Sequence, residues 1–284
     1  MTRWFITGGG GQLATEFVSR LEGEVFVARE EYLDIRDANA VRIALGGFAP
    51  DIVLHTAAYT NVDGAERDEE TAFAVNALGT RNIVEALRGT RAQLIAFSTD
   101  YVFDGRKGTP YVESDQPNPI NAYGRTKLAG EREALAWSRS TVVRTAWLYS
   151  VTGTNFVKTI LNAARERARA RSREPLRVVA DQVGSPTAAA DLAEAVQEAV
   201  QQGLGPGIFH LAGSGTCSWY ELAREIVAWA DLPVEVVPIT TAEAGRPAPR
   251  PAFSALTSER DLPRLPDWRE SLHVVVDQLL GDET

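Results

Sequence analysis

Trp4-Phe5-Ile6-Thr7-Gly8-Gly9-Gly10-Gly11-Gln12-Leu13-Ala14 is the stretch on which the fold turns. A short buried strand runs straight into four glycines. An amphipathic helix then opens at Gln12, with Leu13, Phe17 and Leu21 on one face. Strand, glycine turn and helix start together form the geometry that receives a dinucleotide pyrophosphate. The spacing Gly8-x-x-Gly11-x-x-Ala14 places glycines where backbone must approach a ligand, and an alanine in third place still lets helix pack closely on strand.

The same alternation continues downstream. Residues 24–28 read as a second strand, 37–48 as a helix and 51–55 as a third strand. A helix carrying Phe73, Ala77, Val84 and Leu87 at helical spacing follows, then strands at 93–97 and 140–144. Strands separated by helices predict a doubly wound parallel α/β sheet. Later, 154–171 and 188–201 read as helices and 176–180 and 207–210 as strands, and Ser218 and Glu221 stand at capping-box spacing. No repeat or low-complexity linker divides the chain. Residues 1–150 are therefore expected to form mainly the cofactor domain. Residues 151–284 complete the sheet and supply most of a smaller, discontinuous substrate lobe.

Bulk properties narrow the function. The 284 residues are 44% hydrophobic and 24% charged, as in ordinary globular proteins, and the net charge of −9 argues against nucleic acid or anionic membrane as a partner. One cysteine, Cys217, excludes an internal disulfide or a cysteine metal cluster, and three scattered histidines make no metal centre. No segment offers about 20 uninterrupted apolar residues, so a cytoplasmic protein without metal is expected.

Chemistry concentrates in Tyr123-Gly-Arg-Thr-Lys127. A tyrosine four residues before a lysine shares its helix face. A phenol titrates near pH ~10, and an adjacent ammonium favours its ionised form, which brings the proton into working range. Thr99, at the end of the fourth strand, is placed to hydrogen-bond a substrate carbonyl while Tyr123 delivers that proton. Ala57 and Ala58, after the third strand, suit a flat cofactor lying against backbone, and Asn76 suits a brace for a neighbouring loop. At the end of the second strand, Arg29 suits a 2′-phosphate and Glu30 suits ribose hydroxyls, so NADPH is expected with NADH left open.

These features, in this order, resemble the extended short-chain dehydrogenase/reductase superfamily. Within it the chain is most similar to the dTDP-4-dehydrorhamnose reductase family, through residues 57–63, 98–105, 144–149, 155–157, 181–187, 210–213 and 250–256. The resemblance implies hydride transfer from NADPH or NADH to the 4-keto group of a dTDP-linked 6-deoxysugar, with catalytic Thr99, Tyr123 and Lys127. It implies cofactor contacts at Gly8, Gly10, Gly11, Gln12, Leu13, Arg29, Asp34, Ile35, Ala57, Ala58, Tyr59 and Asn76. Substrate contacts fall to Val62, Thr99, Asp100, Tyr101, Trp147, Asn155 and Arg250, with Trp147 as an apolar wall and Arg250 as a diphosphate partner. Some relatives dimerise through a magnesium ion held by glutamates; Glu16 fits one such position, but Ala190 stands where another glutamate is expected. A monomer or an unbridged homodimer is the expectation. A reductase of another deoxysugar, an epimerase, or a non-catalytic cofactor-binding subunit are the alternatives on the same scaffold.

Overall fold

The computed structural model describes residues 1–281. Its chain runs through β1 (Arg3–Thr7), α1 (Gln12–Val18), β2 (Glu24–Ala28), α2 (Ala38–Phe48), β3 (Ile52–His55), α3 (Val62–Arg67), α4 (Glu69–Phe73), a π-helical turn (Ala74–Leu78), α5 (Gly79–Leu87) and β4 (Gln93–Thr99). It continues through α6 (Ala122–Leu135), β5 (Ser140–Thr145), β6 (Leu148–Tyr149), α7 (Phe156–Arg169), β7 (Leu176–Val179), β8 (Val183–Gly184), β9 (Thr187–Ala188) and α8 (Ala189–Gln201). The last elements are β10 (Gly207–His210), β11 (Cys217–Ser218), α9 (Trp219–Trp229), β12 (Val236–Ile239), α10 (Thr241–Ala244) and α11 (Trp268–Gly281).

Six strands make one parallel sheet in the order β10-β5-β4-β3-β1-β2. Both of its faces are covered, which is why its strands read as nearly continuous apolar runs. Along β1 the side chains alternate between two cores: Trp4 and Ile6 pack with α1 and α8, and Phe5 packs with α2 and α5. A third core joins α7, α9, α11 and β7 around Trp268, Leu161, Ile226 and Leu272, away from the sheet. The fold is a doubly wound parallel sheet carrying a smaller lobe that the chain enters, leaves for β10, and enters again.

Topology fixes where a ligand sits. The chain leaves β1 and reaches β2 on one side and β3 on the other, so a crevice opens at the carboxyl ends of β1 and β3. Register lines up Thr7 with Ala28 and His55, and Thr99 with Thr145, along that edge. Buried His55 accepts or donates to the Thr7 hydroxyl at 2.8 Å and the Thr80 hydroxyl at 3.0 Å, and burial, with the Lys127 charge beside it, pulls its pKa down to about 3. It is a neutral core strut.

Two sequence expectations differ in detail. The helix expected after β3 is broken into α4, the π turn and α5, so Phe73 points outward at 40% exposure while Ala77, Val84 and Leu87 stay inside. The strand at 176–180 lies outside the main sheet, paired in parallel with β12.

Candidate active site

A cleft of about 700 Å³ runs along the carboxyl edge from the glycine loop to Tyr123. At one end Gly8 adopts φ +73°, and a β-carbon there would come within 2.7 Å of the Ala57 nitrogen, so glycine is required for the loop to lie against the β3 edge. Gly10 adopts φ +94° with open space where its side chain would be. No side chain caps the start of α1 at Gly11. Gly11, Gln12 and Leu13 line this end, Ala57, Ala58 and Tyr59 line the middle, and Asp34 and Ile35 line the flank.

Asn76 acts on this wall from behind. Its Oδ1 accepts the Tyr59 backbone N–H at 2.8 Å, while its Nδ2 donates to the Tyr59 carbonyl at 3.2 Å and to the Thr126 hydroxyl at 3.0 Å. One buried amide thus joins the loop after β3 to α6 through the π turn, a distortion frequent at functional sites.

At the other end, two consecutive residues of β4 hold α6. The Lys127 Nζ donates to the Phe97 carbonyl at 2.8 Å and the Ser98 hydroxyl donates to Glu131 Oε1 at 2.5 Å, while Thr99, the next residue, lines the cleft with Tyr123. Helix α6 starts sharply because Asn121 caps it, with Oδ1 accepting the Gly124 N–H at 2.7 Å. Tyr123 and Lys127 therefore both line the cleft, one turn apart, beside Thr99 and Asp100.

The electrostatics depart from the sequence expectation. Burial pushes Tyr123 up to about 12, with the Thr99 hydrogen bond opposing and the Asp100 charge adding to it. Burial also pulls Lys127 down to about 8, against the pull of Glu131. The lysine is directed at a carbonyl, and desolvation outweighs any help it gives the phenol. Tyr123 is thus a fully loaded proton donor at neutral pH. Burial raises Asp100 to about 7 although the Ser254 and Thr99 hydroxyls both donate to it.

The remaining expected residues lie off the cleft wall. Tyr101 stacks edge-on against Tyr123, with ring centroids 5.8 Å apart. Arg250 is held by Asp63, with Nη1 to Oδ1 and Nη2 to Oδ2 both at 3.0 Å, and Val62 begins the helix that carries Asp63. A diphosphate must compete with that carboxylate. Asn155 caps α7 and donates to Gln12 Oε1 at 2.9 Å, tying the second lobe to the glycine loop. Arg29 is exposed, its stem beside Gly9, and the cation on the cleft flank is instead Arg36, fixed by Asp34 at 2.7–3.0 Å.

Trp147 does line the cleft. Its backbone is left-handed, at φ +46°, and its indole stacks on Trp219 at 3.4 Å. Sequence reasoning missed Thr145, whose register with Thr99 puts it on the same wall; its buried hydroxyl has no partner among the described residues. It missed Arg36 as well, for which the run Asp34-x-Arg36-Asp37 before a helix was the signal. Among the described residues no three His, Cys, Asp or Glu side chains converge as a metal site.

Residues 2–280 match the family model described as RmlD substrate binding domain. The chain belongs to that family. Family relatives span its whole length. The "Probable dTDP-4,6-dihydroxy-2-methyloxan-3-one 4-ketoreductase" of Streptomyces antibioticus is 42% identical over 99% of this chain and 97% of its own. The dTDP-4-dehydrorhamnose reductase of Mycolicibacterium smegmatis is 41% identical over 99% and 87%. The crystal structure of dTDP-4-dehydrorhamnose reductase from Bacillus anthracis in complex with NADP superposes with a TM-score of 0.92, at 36% identity over 98% of this chain and 99% of that one. For an RmlD-family chain, the cleft of this structure is the place to expect a dinucleotide: open backbone at Gly10, small walls at Ala57 and Ala58, and an unpartnered hydroxyl at Thr145 all fit one.

Proposed function

We propose that this protein reduces the 4-keto group of a dTDP-4-keto-6-deoxysugar with NADPH or NADH, converting dTDP-4-dehydrorhamnose to dTDP-L-rhamnose. The observation that carries the reading is the meeting of Thr99, Tyr123 and Lys127 at one end of a cleft whose other end is the glycine loop. A nicotinamide cofactor supplies the hydride. Tyr123, protonated at neutral pH, gives its proton to the forming alkoxide, and the Thr99 hydroxyl holds the same oxygen. Lys127, fixed by the Phe97 carbonyl, keeps a positive charge beside the phenol and holds the cofactor ribose. Trp147, on its Trp219 support, forms the apolar wall for the deoxysugar. Residues 1–150 serve mainly the cofactor, and 151–284 complete the sheet and build most of the substrate lobe.

No helix among the described residues is long and apolar enough to cross a membrane. In this reading the enzyme works in the cytoplasm on a soluble nucleotide sugar, as a monomer or homodimer without bound metal. The similarity to the Streptomyces antibioticus 4-ketoreductase supports a second substrate, another dTDP-linked deoxysugar of the same class. The test is the fall in NADPH and NADH absorbance with dTDP-4-keto-6-deoxy-L-mannose. Wild type should oxidise at least one cofactor, and Tyr123→Phe should lose on the order of 10²–10⁴-fold in kcat. Oxidation of neither cofactor by wild type, with a panel of keto-sugars equally inert, ends the reductase reading.

A further inference from the structure

We infer that Glu131 is a positioning residue for the reaction, holding the charge of Lys127 in place from one helical turn away. The inference rests on the reductase reading above and extends it to a side chain outside the cleft. Tyr123, Lys127 and Glu131 recur every four residues along α6, so they share one face. Lys127 and Glu131 both line a chamber of about 10 Å³ behind the cleft, together with His55, Asn76, Thr80 and Ser98.

Glu131 is 4% exposed, and its two oxygens are fully engaged: Arg144 donates from Nε at 2.8 Å and from Nη2 at 2.7 Å, and Ser98 donates at 2.5 Å. Arg144 is itself fixed, over the Phe103 ring and 3.4 Å from His210 Nε2. A carboxylate so arranged is held immobile. The charged and titratable groups around Lys127 come from every packed element: Tyr123 and Glu131 on α6, His55 on β3, Asp100 after β4, and Arg144 on β5. His55 is neutral. Of the buried ion pair it is Glu131 that supports the ammonium, against its own burial. Without Glu131, Lys127 sits in a desolvated wall with only a carbonyl to hold its proton, and the charge beside Tyr123 fails at a lower pH.

The chain has only three lysines, Lys107, Lys127 and Lys158, so their signals separate readily. The full-length protein, labelled with [13Cε]lysine, is titrated by NMR, the Lys127 signal being identified by its loss in Lys127→Arg. In parallel, the pH profile of kcat is measured for NADPH-dependent reduction. Wild type should titrate near pH 8, and its kcat should fall through the same range as pH rises. In Glu131→Gln the Lys127 midpoint and the alkaline limb of kcat should both move down by roughly one pH unit, with the KM for NADPH within about twofold. A purely structural Glu131 would lower stability and leave both midpoints unmoved.

Glu131→Gln leaves Arg144 buried without its counter-charge, which costs stability and adds its own push on Lys127; the paired Glu131→Gln/Arg144→Met variant removes both charges and should show a downward move that is smaller than in Glu131→Gln but still present. An unmoved Lys127 midpoint in either folded variant overturns the proposal, and so does a moved midpoint with an unmoved kcat limb. A wild type that titrates as expected but reduces no keto-sugar removes the reductase reading and the catalytic part of this one, while the Glu131–Lys127 coupling is still decided by the NMR titration.

Discussion

Tyr123 was recognisable from its spacing to Lys127, and the structure changes what that spacing does. The pair is adjacent on one helix, but the phenol is held up near 12 by burial, so it stays protonated at neutral pH. Asp100 contributes to this, and its own state is testable. It keeps its proton to about pH 7 in the fold, against about 3.9 in an unfolded chain. Between those values the folded protein binds more protons than the unfolded one, so stability falls as pH rises through the window. Asp100→Asn removes that slope. Urea melts should show the variant gaining about 1–3 kcal/mol over wild type at pH 8 and little at pH 4. An equal difference at both pH values would mean that Asp100 does not titrate in this window. The residues that the sequence concealed are those whose partners lie far along the chain. Glu131 finds Arg144 and Ser98 only because α6 packs across β4 and β5, and no spacing announces that.

The elements were legible where each had one strong signal. The glycine loop, the strand at 207–210, and the Ser218 capping box stand where periodicity and capping chemistry put them. The helix after β3 did not read true, because one inserted residue at the π turn rotates the apolar face and a count by 3.6 cannot register it. β12 and α11 have weaker patterns, the first interrupted by Pro238, and were not anticipated. The π turn carries its own prediction. Asn76→Ala leaves the Tyr59 N–H and carbonyl and the Thr126 hydroxyl without their shared partner. That should cost about 1–3 kcal/mol in urea melts. Because the freed loop is the cleft wall, the KM for NADPH should rise severalfold. A stability loss with an unchanged KM would show that Asn76 supports the fold without shaping the cofactor site.

On the scale of the molecule, two adjacent residues stitch the halves together. Trp147 packs against the core of the second lobe, and Leu148 against the core under the sheet. The cleft is lined from both halves, by Gly8 to Leu13 and by Trp147, Gly153 and Thr154. The α/β class was readable from the chain because it depends on local alternation. The return of the chain to β10 was only partly so, because it rests on pairing Gly207–His210 with β5, 66 residues earlier. This arrangement predicts how bound cofactor stabilises the protein. A dinucleotide seated along the cleft touches both halves, so NADPH at a hundredfold excess over its Kd should add about 2.7 kcal/mol to the stability of the whole. Calorimetry should then record one transition, raised by on the order of 4–5 °C. If instead two transitions appear and only one moves, the cofactor engages one core alone, and the wall from Trp147 to Thr154 belongs to the sugar without a part in holding the dinucleotide.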